Sequence, residues 1–133
     1  MDLSVIIVCY KGYERLNSCL ESLTSFSQAG FSMEVIVVNN NPGDEMLKET
    51  ERKFTRFRFI HNSVNGGYSN GCNLGCSAAS GDYFLILNPD TVASEQAVSR
   101  LIAAAGSNPA YHLLSCRQKS ESGRESRAYG KFP

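Results

Sequence analysis

The pattern of apolar and polar positions along the chain predicts strands that alternate with helices. Residues 3–9 are an almost continuous β-branched run, typical of a strand buried on both faces of a parallel sheet. A helix is predicted from Tyr13 to the region of Gly30, because its apolar positions share one helix face. Those positions are Leu16, Cys19, Leu20, Leu23 and Phe26. A second buried strand is predicted over residues 33–38.

The alternation continues through the middle of the chain. The predicted elements are a helix over 44–54, a short strand over 57–60, a helix over about 69–80 and a strand over 83–87. Asp44 and Glu45 would lie in the first turn of their helix, where the macrodipole favours negative charge. The alternation within 57–60 suggests a position near the sheet edge.

The last part of the chain carries one further helix pattern. Its apolar positions are Ala97, Val98, Leu101, Ile102 and Ala105, and Gly106 and Pro109 end it. Residues 113–116 are interpreted as a candidate fifth strand. From 117 onward the chain is polar or turn-forming apart from Tyr129 and Phe132. We therefore expect an α/β domain over 1–116, followed by a polar tail over 117–133.

Strands that alternate with helices predict a three-layer, Rossmann-like fold. In this fold a mostly parallel sheet carries helices on both faces. The length of 133 residues and the hydrophobic content of 42% fit one globular domain with a real core. Lys+Arg and Asp+Glu both total 13, so the formal net charge is zero. The charge balance therefore gives no electrostatic reason to expect nucleic-acid binding.

The sequence contains no segment near the ~20 apolar residues that a membrane helix needs. Met1 leads straight into the first strand without a basic leader region, so we expect a cytoplasmic protein, or one at the inner face of the membrane. The five cysteines include no C-x-x-C pair, which favours reduced thiols in the core. His61 and His112 are isolated in sequence and indicate no catalytic triad.

Polar residues gather where the predicted strands end. Ligands of open parallel sheets bind beyond the carboxyl ends of the strands. Tyr10 offers a ring surface for a base there, together with backbone amides. Asn39, Asn40 and Asn41 carry amides that both donate and accept, as the edge of a nucleobase requires. Asparagine is equally favoured in ordinary tight turns, so residue types leave both interpretations open.

A glycine-rich stretch over 65–75 precedes the fourth strand, and Asp90 follows that strand. The glycines permit close backbone approach, and free amides near Ser69 and Asn70 favour a diphosphate. The stretch is not a Walker loop, because no G-K-[ST] occurs. Asp90 can bind a hard divalent cation that bridges phosphate oxygens, with Asn88 on the same side of the strand. The alternative is a simple turn and helix cap over 88–91.

Four motifs in this order resemble a known family. They are SVIIVCY over 4–10, EVIVVNN over 34–40, NGGYSNGCNLG over 65–75 and LNPDT over 87–91. Together they are similar to the N-terminal half of family 2 glycosyltransferases, with the rhamnosyltransferase-like branch nearest. The resemblance implies a GT-A fold and transfer of sugar from a dTDP- or UDP-sugar to a glycan or lipid-linked acceptor. The resemblance is also compatible with assembly into a homo-oligomer.

The resemblance also implies roles by position. The base would lie against Tyr10, Asn39, Asn40 and Asn41, and Cys9 and Lys11 would also belong to the nucleotide-sugar-binding residues. The diphosphate and sugar would lie against Asn65, Gly67, Asn70 and Asn73. Asn88 and Asp90 stand where the family has its D-x-D motif, so Asp90 would coordinate Mg²⁺ or Mn²⁺.

Two positions depart from the family pattern. Asn39 and Asn88 occupy sites where many members carry aspartate, which bears on base selectivity and on the number of carboxylates at the metal. In the family the acceptor-side half follows the nucleotide half, so we expect the general base beyond Pro133. The alternative function is a truncated, catalytically inactive nucleotide-sugar-binding fragment.

Overall fold

The computed structural model describes residues 1–26, 30–110 and 112–126 of the chain. Strands and helices alternate through β4 and α4, as the sequence predicts. The elements are β1 (Leu3–Cys9), α1 (Tyr13–Thr24), β2 (Met33–Asn39), α2 (Leu47–Lys53), β3 (Arg58–His61), α3 (Tyr68–Ala78), β4 (Tyr83–Leu87), α4 (Glu95–Ser107), β5 (Gln118–Lys119) and β6 (Glu125–Ser126).

Four strands form one parallel sheet in the order β3-β2-β1-β4. β1 pairs with β2 as far as Cys9 opposite Asn39, and with β4 as far as Ile7 opposite Leu87. The ends of these three strands therefore reach the same edge, which we call the carboxyl edge. The predicted α/β fold with a parallel sheet is confirmed, and β3 lies at a sheet edge as its alternation suggested.

Helices cover both faces of the sheet, which explains why all seven residues of β1 are buried. The chain crosses from β1 to β2 to β3 in one direction and returns from β3 to β4 in the other. Right-handed crossovers therefore place α1 and α2 on one face and α3 on the opposite face. Glycines let α3 approach closely, since a Cβ on Gly75 would lie 2.5 Å from Ile6 Cγ2.

Two predictions of secondary structure need correction. α2 begins at Leu47 and not at residue 44, because the Asp44 carboxylate accepts a bond from the Met46 amide at 2.9 Å and holds a turn there. The strand predicted over 113–116 is wrong. Leu113 is 90% exposed, so this apolar run has no sheet on which to pack. Within the segment predicted as a polar tail, Gln118–Lys119 and Glu125–Ser126 form the antiparallel pair β5–β6.

The β5–β6 pair turns at Gly123, whose φ of 79° suits glycine, and the Gly123 amide donates to the Ser120 carbonyl at 2.8 Å. Residues 127–133, with Tyr129 and Phe132, lie outside the described residues, as do residues 27–29 before Gly30.

By the density of internal contacts the chain forms two compact units, Met1–Ser94 and Glu95–Pro133. The parallel sheet and α1 to α3 belong to the first unit, and α4 and the β5–β6 pair belong to the second. Over the described parts of the chain, no helix combines the length and the apolar character needed to cross a membrane.

Candidate functional site

The segment after β1 presents an aromatic ring at the carboxyl edge. Tyr10 exposes 48% of its side chain, and Lys11 Nζ lies 5.2 Å from the centre of the ring in a cation–π contact. Gly12 follows with φ 81°, a left-handed conformation that suits glycine. The Tyr10 ring is therefore available to a planar ligand.

Cys9 lies beneath this turn. Its side chain is fully buried, and its thiol donates to the Lys11 carbonyl at 3.7 Å. Burial, and secondarily the charge of Asp44, raises the pKa of Cys9 to about 11. The thiol is therefore neutral at physiological pH and supports the turn from inside.

Asn39 ends β2 with only 1% of its surface exposed. Its Oδ1 accepts a bond from the Asn41 amide at 2.9 Å, and its Nδ2 lies 3.3 Å from His61 Nδ1. His61 Nε2 in turn lies 2.7 Å from Glu51 Oε1. Sequence reasoning left His61 isolated, because Glu51 comes ten residues earlier and on a different element.

Asn40, 3% exposed, ties β2 to the glycine-rich stretch. Its Nδ2 donates to the Gly67 carbonyl at 2.8 Å, and its Oδ1 accepts from Asn62 Nδ2 at 2.9 Å. The same Asn62 amide donates to Asn70 Oδ1, also at 2.9 Å. No pattern in the sequence marks Asn62 for these bridging contacts.

Asp44 binds three donors at this edge. Its carboxylate accepts hydrogen bonds from the Tyr13 hydroxyl, from the Asn41 side-chain amide and, at 2.9 Å, from the Met46 amide. The bond from Tyr13, followed by that from the Met46 amide, lowers the pKa of Asp44. Burial and the bond to Asp44 raise the pKa of Tyr13 to about 12. A charged carboxylate and a protonated hydroxyl therefore join the β2–α2 loop to the first turn of α1.

The glycine-rich stretch is organised around the start of α3. Asn65 Oδ1 accepts a bond from the Gly67 amide at 3.1 Å, and Gly67, with φ 84°, precedes the helix. The first amides of α3 have no carbonyl within their own helix to bond, which makes this end suited to anions. Asn70 lies in the first turn of α3, and Asn73 is exposed one turn later.

Asp90 lies in a turn after β4. The Thr91 amide donates to the Asn88 carbonyl at 3.1 Å and closes residues 88–91 into a turn. The Tyr68 hydroxyl donates to Asn88 Oδ1 at 3.1 Å, which joins the glycine-rich stretch to this turn. Tyr68 lies within the glycine-rich motif, but its partner, 20 residues later, could not be read from the sequence. Asp90 itself is exposed.

The turn over residues 88–91 offers some, but not all, of the oxygen ligands that a hard cation needs. Within the described ranges, no group of three or more His, Cys, Asp or Glu side chains is arranged to hold a metal. Mg²⁺ is commonly held by one or two carboxylates, with phosphate oxygens of the substrate and waters completing its octahedron. The exposed Asp90 carboxylate can supply one such oxygen, while the Asn88 amide oxygen already accepts the Tyr68 hydroxyl.

Direct bonds thus connect Asn40 with Gly67, and Tyr68 with Asn88, so the segments predicted to form a site meet at one edge. Asn73 lies farther along α3 with its side chain exposed, and the Cys9 thiol is buried inside its turn. What gathers at the edge is the exposed Tyr10 ring, several amides, the start of α3 and two carboxylates, of which Asp44 is hydrogen-bonded and Asp90 is exposed.

Comparisons with known proteins agree with this architecture. Residues 4–132 match the family model described as Glycosyl transferase family 2. The chain is 29% identical over 110 residues to the poly-beta-1,6-N-acetyl-D-glucosamine synthase of Staphylococcus epidermidis, a match that covers 80% of this chain and 26% of that protein. It is 26% identical over 103 residues to an uncharacterized glycosyltransferase of Haemophilus influenzae, covering 75% and 31% respectively.

Among solved structures, S. aureus TarS 1-349 in complex with UDP-GlcNAc matches with a TM-score of 0.68 and 22% identity. That match covers 82% of this chain and 32% of the TarS chain. The chain therefore spans between about a quarter and a third of the length of these three proteins.

Proposed function

Because this chain belongs to glycosyltransferase family 2 and has the GT-A fold, we propose that its carboxyl edge binds the nucleoside-diphosphate sugar of a sugar-transfer reaction. The observation that carries the proposal is the set of bonds that joins the loops there. Asn40 bonds to Gly67, and Tyr68 bonds to Asn88. The end of β2, the start of α3 and the turn that carries Asp90 are thereby held together.

The base lies on the exposed Tyr10 ring, with the Lys11 ammonium above that ring. The Asn41 segment presents polar groups to the edge of the base, and the buried Asn39 and Asn40 hold that segment in place. The diphosphate lies at the start of α3, where Gly67 and Asn70 flank amides that favour negative charge.

Asp90 would hold a divalent cation, Mg²⁺ or Mn²⁺. When bound, such a cation offsets the charge that develops on the departing nucleoside diphosphate. The role of Asp90 is to place a single negative charge next to the phosphates. Asn88 is uncharged, so Asp90 would be the one charged side chain that the 88–91 turn offers to the cation.

A UDP-sugar is the proposed donor. Support comes from TarS, whose structure was solved in complex with UDP-GlcNAc, and from the synthase named for poly-beta-1,6-N-acetyl-D-glucosamine. The sequence motifs are equally compatible with a dTDP-sugar, so both nucleotides belong in the test. The proposed acceptor of the whole protein is a glycan or a lipid-linked glycan. We assign the general base to none of the residues described here.

Calorimetric titration with UDP and with dTDP, each with and without Mn²⁺, tests the donor site. We expect UDP to bind more tightly with Mn²⁺, and we expect Asp90→Ala to weaken that binding about tenfold, or ~1.4 kcal/mol. Asp82→Ala is the matched control, because Asp82 is an exposed carboxylate at the opposite end of β4. Absence of nucleotide binding by the wild-type chain contradicts the proposal, and tighter binding of dTDP assigns the donor to the other class.

A further inference from the structure

Helix α1 carries two side chains that contact the loop bearing Asp90. Cys19 and Ser22 are three residues apart and so share one helix face. The Cys19 thiol donates to the Asn88 carbonyl at 3.8 Å, and Ser22 Oγ accepts a bond from the Ala93 amide at 3.1 Å. One contact precedes Asp90 along the chain and the other follows it.

The Ser22 hydroxyl is oriented by its own helix. It donates to the Cys19 carbonyl at 2.6 Å, which directs a lone pair toward the Ala93 amide. Ser18, on the preceding turn, likewise donates to a carbonyl of α1, that of Glu14 at 3.2 Å, but it is exposed. Ser22 therefore differs from Ser18 in accepting a hydrogen bond from the loop that bears Asp90.

The loop between these contacts is closed by its own bond. The Thr91 amide donates to the Asn88 carbonyl, which thus accepts from both Thr91 and the Cys19 thiol. Pro89 fixes one backbone angle of this turn. Burial, followed by the negative charge of Asp90, raises the pKa of Cys19 to about 12, so the thiol keeps the proton that it donates.

We propose that Ser22, together with Cys19, is a positioning residue that holds the 88–93 loop so that Asp90 is set in advance for the cation and the diphosphate. The proposal rests on the donor site proposed above. Asp90 is exposed on a loop. If that loop had to become ordered when the ligand binds, the entropy lost would reduce what Asp90 contributes to the binding free energy. Contacts behind a metal ligand commonly supply that order.

Amide hydrogen exchange tests the contact itself without any ligand. The Ala93 amide should be protected in the wild-type chain and in Ser18→Ala, and should exchange faster in Ser22→Ala. Ser22→Thr keeps a hydroxyl at this position and should restore protection. Equal exchange of the Ala93 amide in Ser22→Ala and Ser18→Ala overturns the proposal, whatever the ligand-binding results are.

Calorimetry with UDP tests the consequence. The quantity compared is the ratio of the Kd without Mn²⁺ to the Kd with Mn²⁺. Ser22→Ala should reduce this ratio about three- to tenfold, the range expected for one lost hydrogen bond, while Ser18→Ala and Ser22→Thr keep the wild-type ratio. A simple loss of folded protein would leave the ratio unchanged, because it affects both measurements equally.

The outcomes separate the two proposals. If the wild-type chain binds no UDP, the donor site fails, and the exchange measurement still decides whether Ser22 holds the loop. If the wild-type chain binds UDP with a benefit from Mn²⁺, and Ser22→Ala keeps the full benefit, the positioning role is overturned while the donor site stands. A reduced benefit in Ser22→Ala, restored in Ser22→Thr, supports the positioning role.

Discussion

Asp44 links two segments of the site that are far apart in sequence, because its carboxylate accepts the hydroxyl of Tyr13 as well as the amide of Asn41. A hydrogen bond to a charged group is stronger than one between neutral groups. These bonds hold the β2–α2 loop against α1, next to the turn that carries Tyr10. The loop that we propose for the base therefore depends on this contact.

Removing either partner should weaken UDP binding. We expect Tyr13→Phe and Asp44→Asn each to raise the Kd for UDP about three- to tenfold, because the loop after β2 must then be ordered on binding. The double variant should be little worse than either single one, since both lose the same contact. A double-mutant cycle by calorimetry measures this coupling. Tyr83→Phe, at the amino end of β4, is the control for loss of a tyrosine hydroxyl.

At the scale of elements, α3 lies close to the sheet because glycines face it. A Cβ on Gly71 would lie 2.6 Å from Val8 Cγ1, and one on Gly75 would lie 2.5 Å from Ile6 Cγ2 and 3.3 Å from Val38 Cγ2. These neighbours are β-branched and buried, so they have little freedom to move aside. Alanine in a helix interior gains about 1 kcal/mol over glycine, but overpacking a core costs about 1–3 kcal/mol.

Gly75→Ala should therefore destabilise the protein by up to about 2 kcal/mol, despite the better helix propensity of alanine. Urea unfolding measures this as a lower midpoint with an unchanged slope. Ser77→Ala, on the exposed side of the same helix, should be neutral or slightly stabilising. A Gly75→Ala variant at least as stable as the wild type would show that the helix moves away from the sheet at little cost.

The elements were largely predictable because their patterns are local. The β-branched runs of β1 and β2 and the apolar face of α1 mark buried segments without knowledge of the fold. The start of α2 was placed three residues too early, because a side chain of Asp44, not helix propensity, sets that boundary. Residues 113–116 look like a strand but are not paired as one, which no local pattern reveals.

The site was predictable only in part. Strand ends gave the location of Tyr10, Asn40 and Asp90. The bonds that join them, such as Asn62 to Asn40 and Asn70, connect elements whose spacing is decided by tertiary packing. Ser22 is the clearest example, because it is a polar residue beside the apolar face of α1 and gains its role only when the 88–93 loop lies across it.

At the scale of the whole molecule, stability should depend on pH from both sides. On the acid side, Glu34 Oε1 accepts bonds from Ser4 Oγ at 2.6 Å and from Ser80 N and Oγ at 2.7 and 2.8 Å. Burial alone acts to raise the pKa of Glu34, but these bonds outweigh it and hold the pKa below its usual 4.5. The unfolded carboxylate takes up its proton first, so this stability is present above about pH 4.5 and is lost as pH falls through the folded value.

On the alkaline side the buried thiols of Cys9 and Cys19 have pKa values raised from 9.0 to about 11 and about 12, chiefly by burial. A raised pKa stabilises the fold below the unfolded value and loses that contribution as pH rises toward the folded value. Between about pH 9 and 11 the unfolded thiols ionise while the folded ones stay neutral. As pH rises through this range, ionisation of each thiol in the unfolded state therefore lowers the free energy of unfolding by up to about 1.4 kcal/mol per pH unit.

Urea unfolding from pH 3 to pH 10.5 should accordingly give a plateau with a decline on each side. Glu34→Gln should flatten the acid decline, because glutamine does not titrate. Cys19→Ala lowers stability at every pH by removing buried packing, but its alkaline slope should be shallower than that of the wild type by about 1.4 kcal/mol per pH unit. Cys116→Ala, which removes an exposed thiol, should keep the wild-type slope. If Cys19→Ala and the wild type decline in parallel above pH 9, the buried Cys19 thiol does not limit alkaline stability, and the decline must come from other groups.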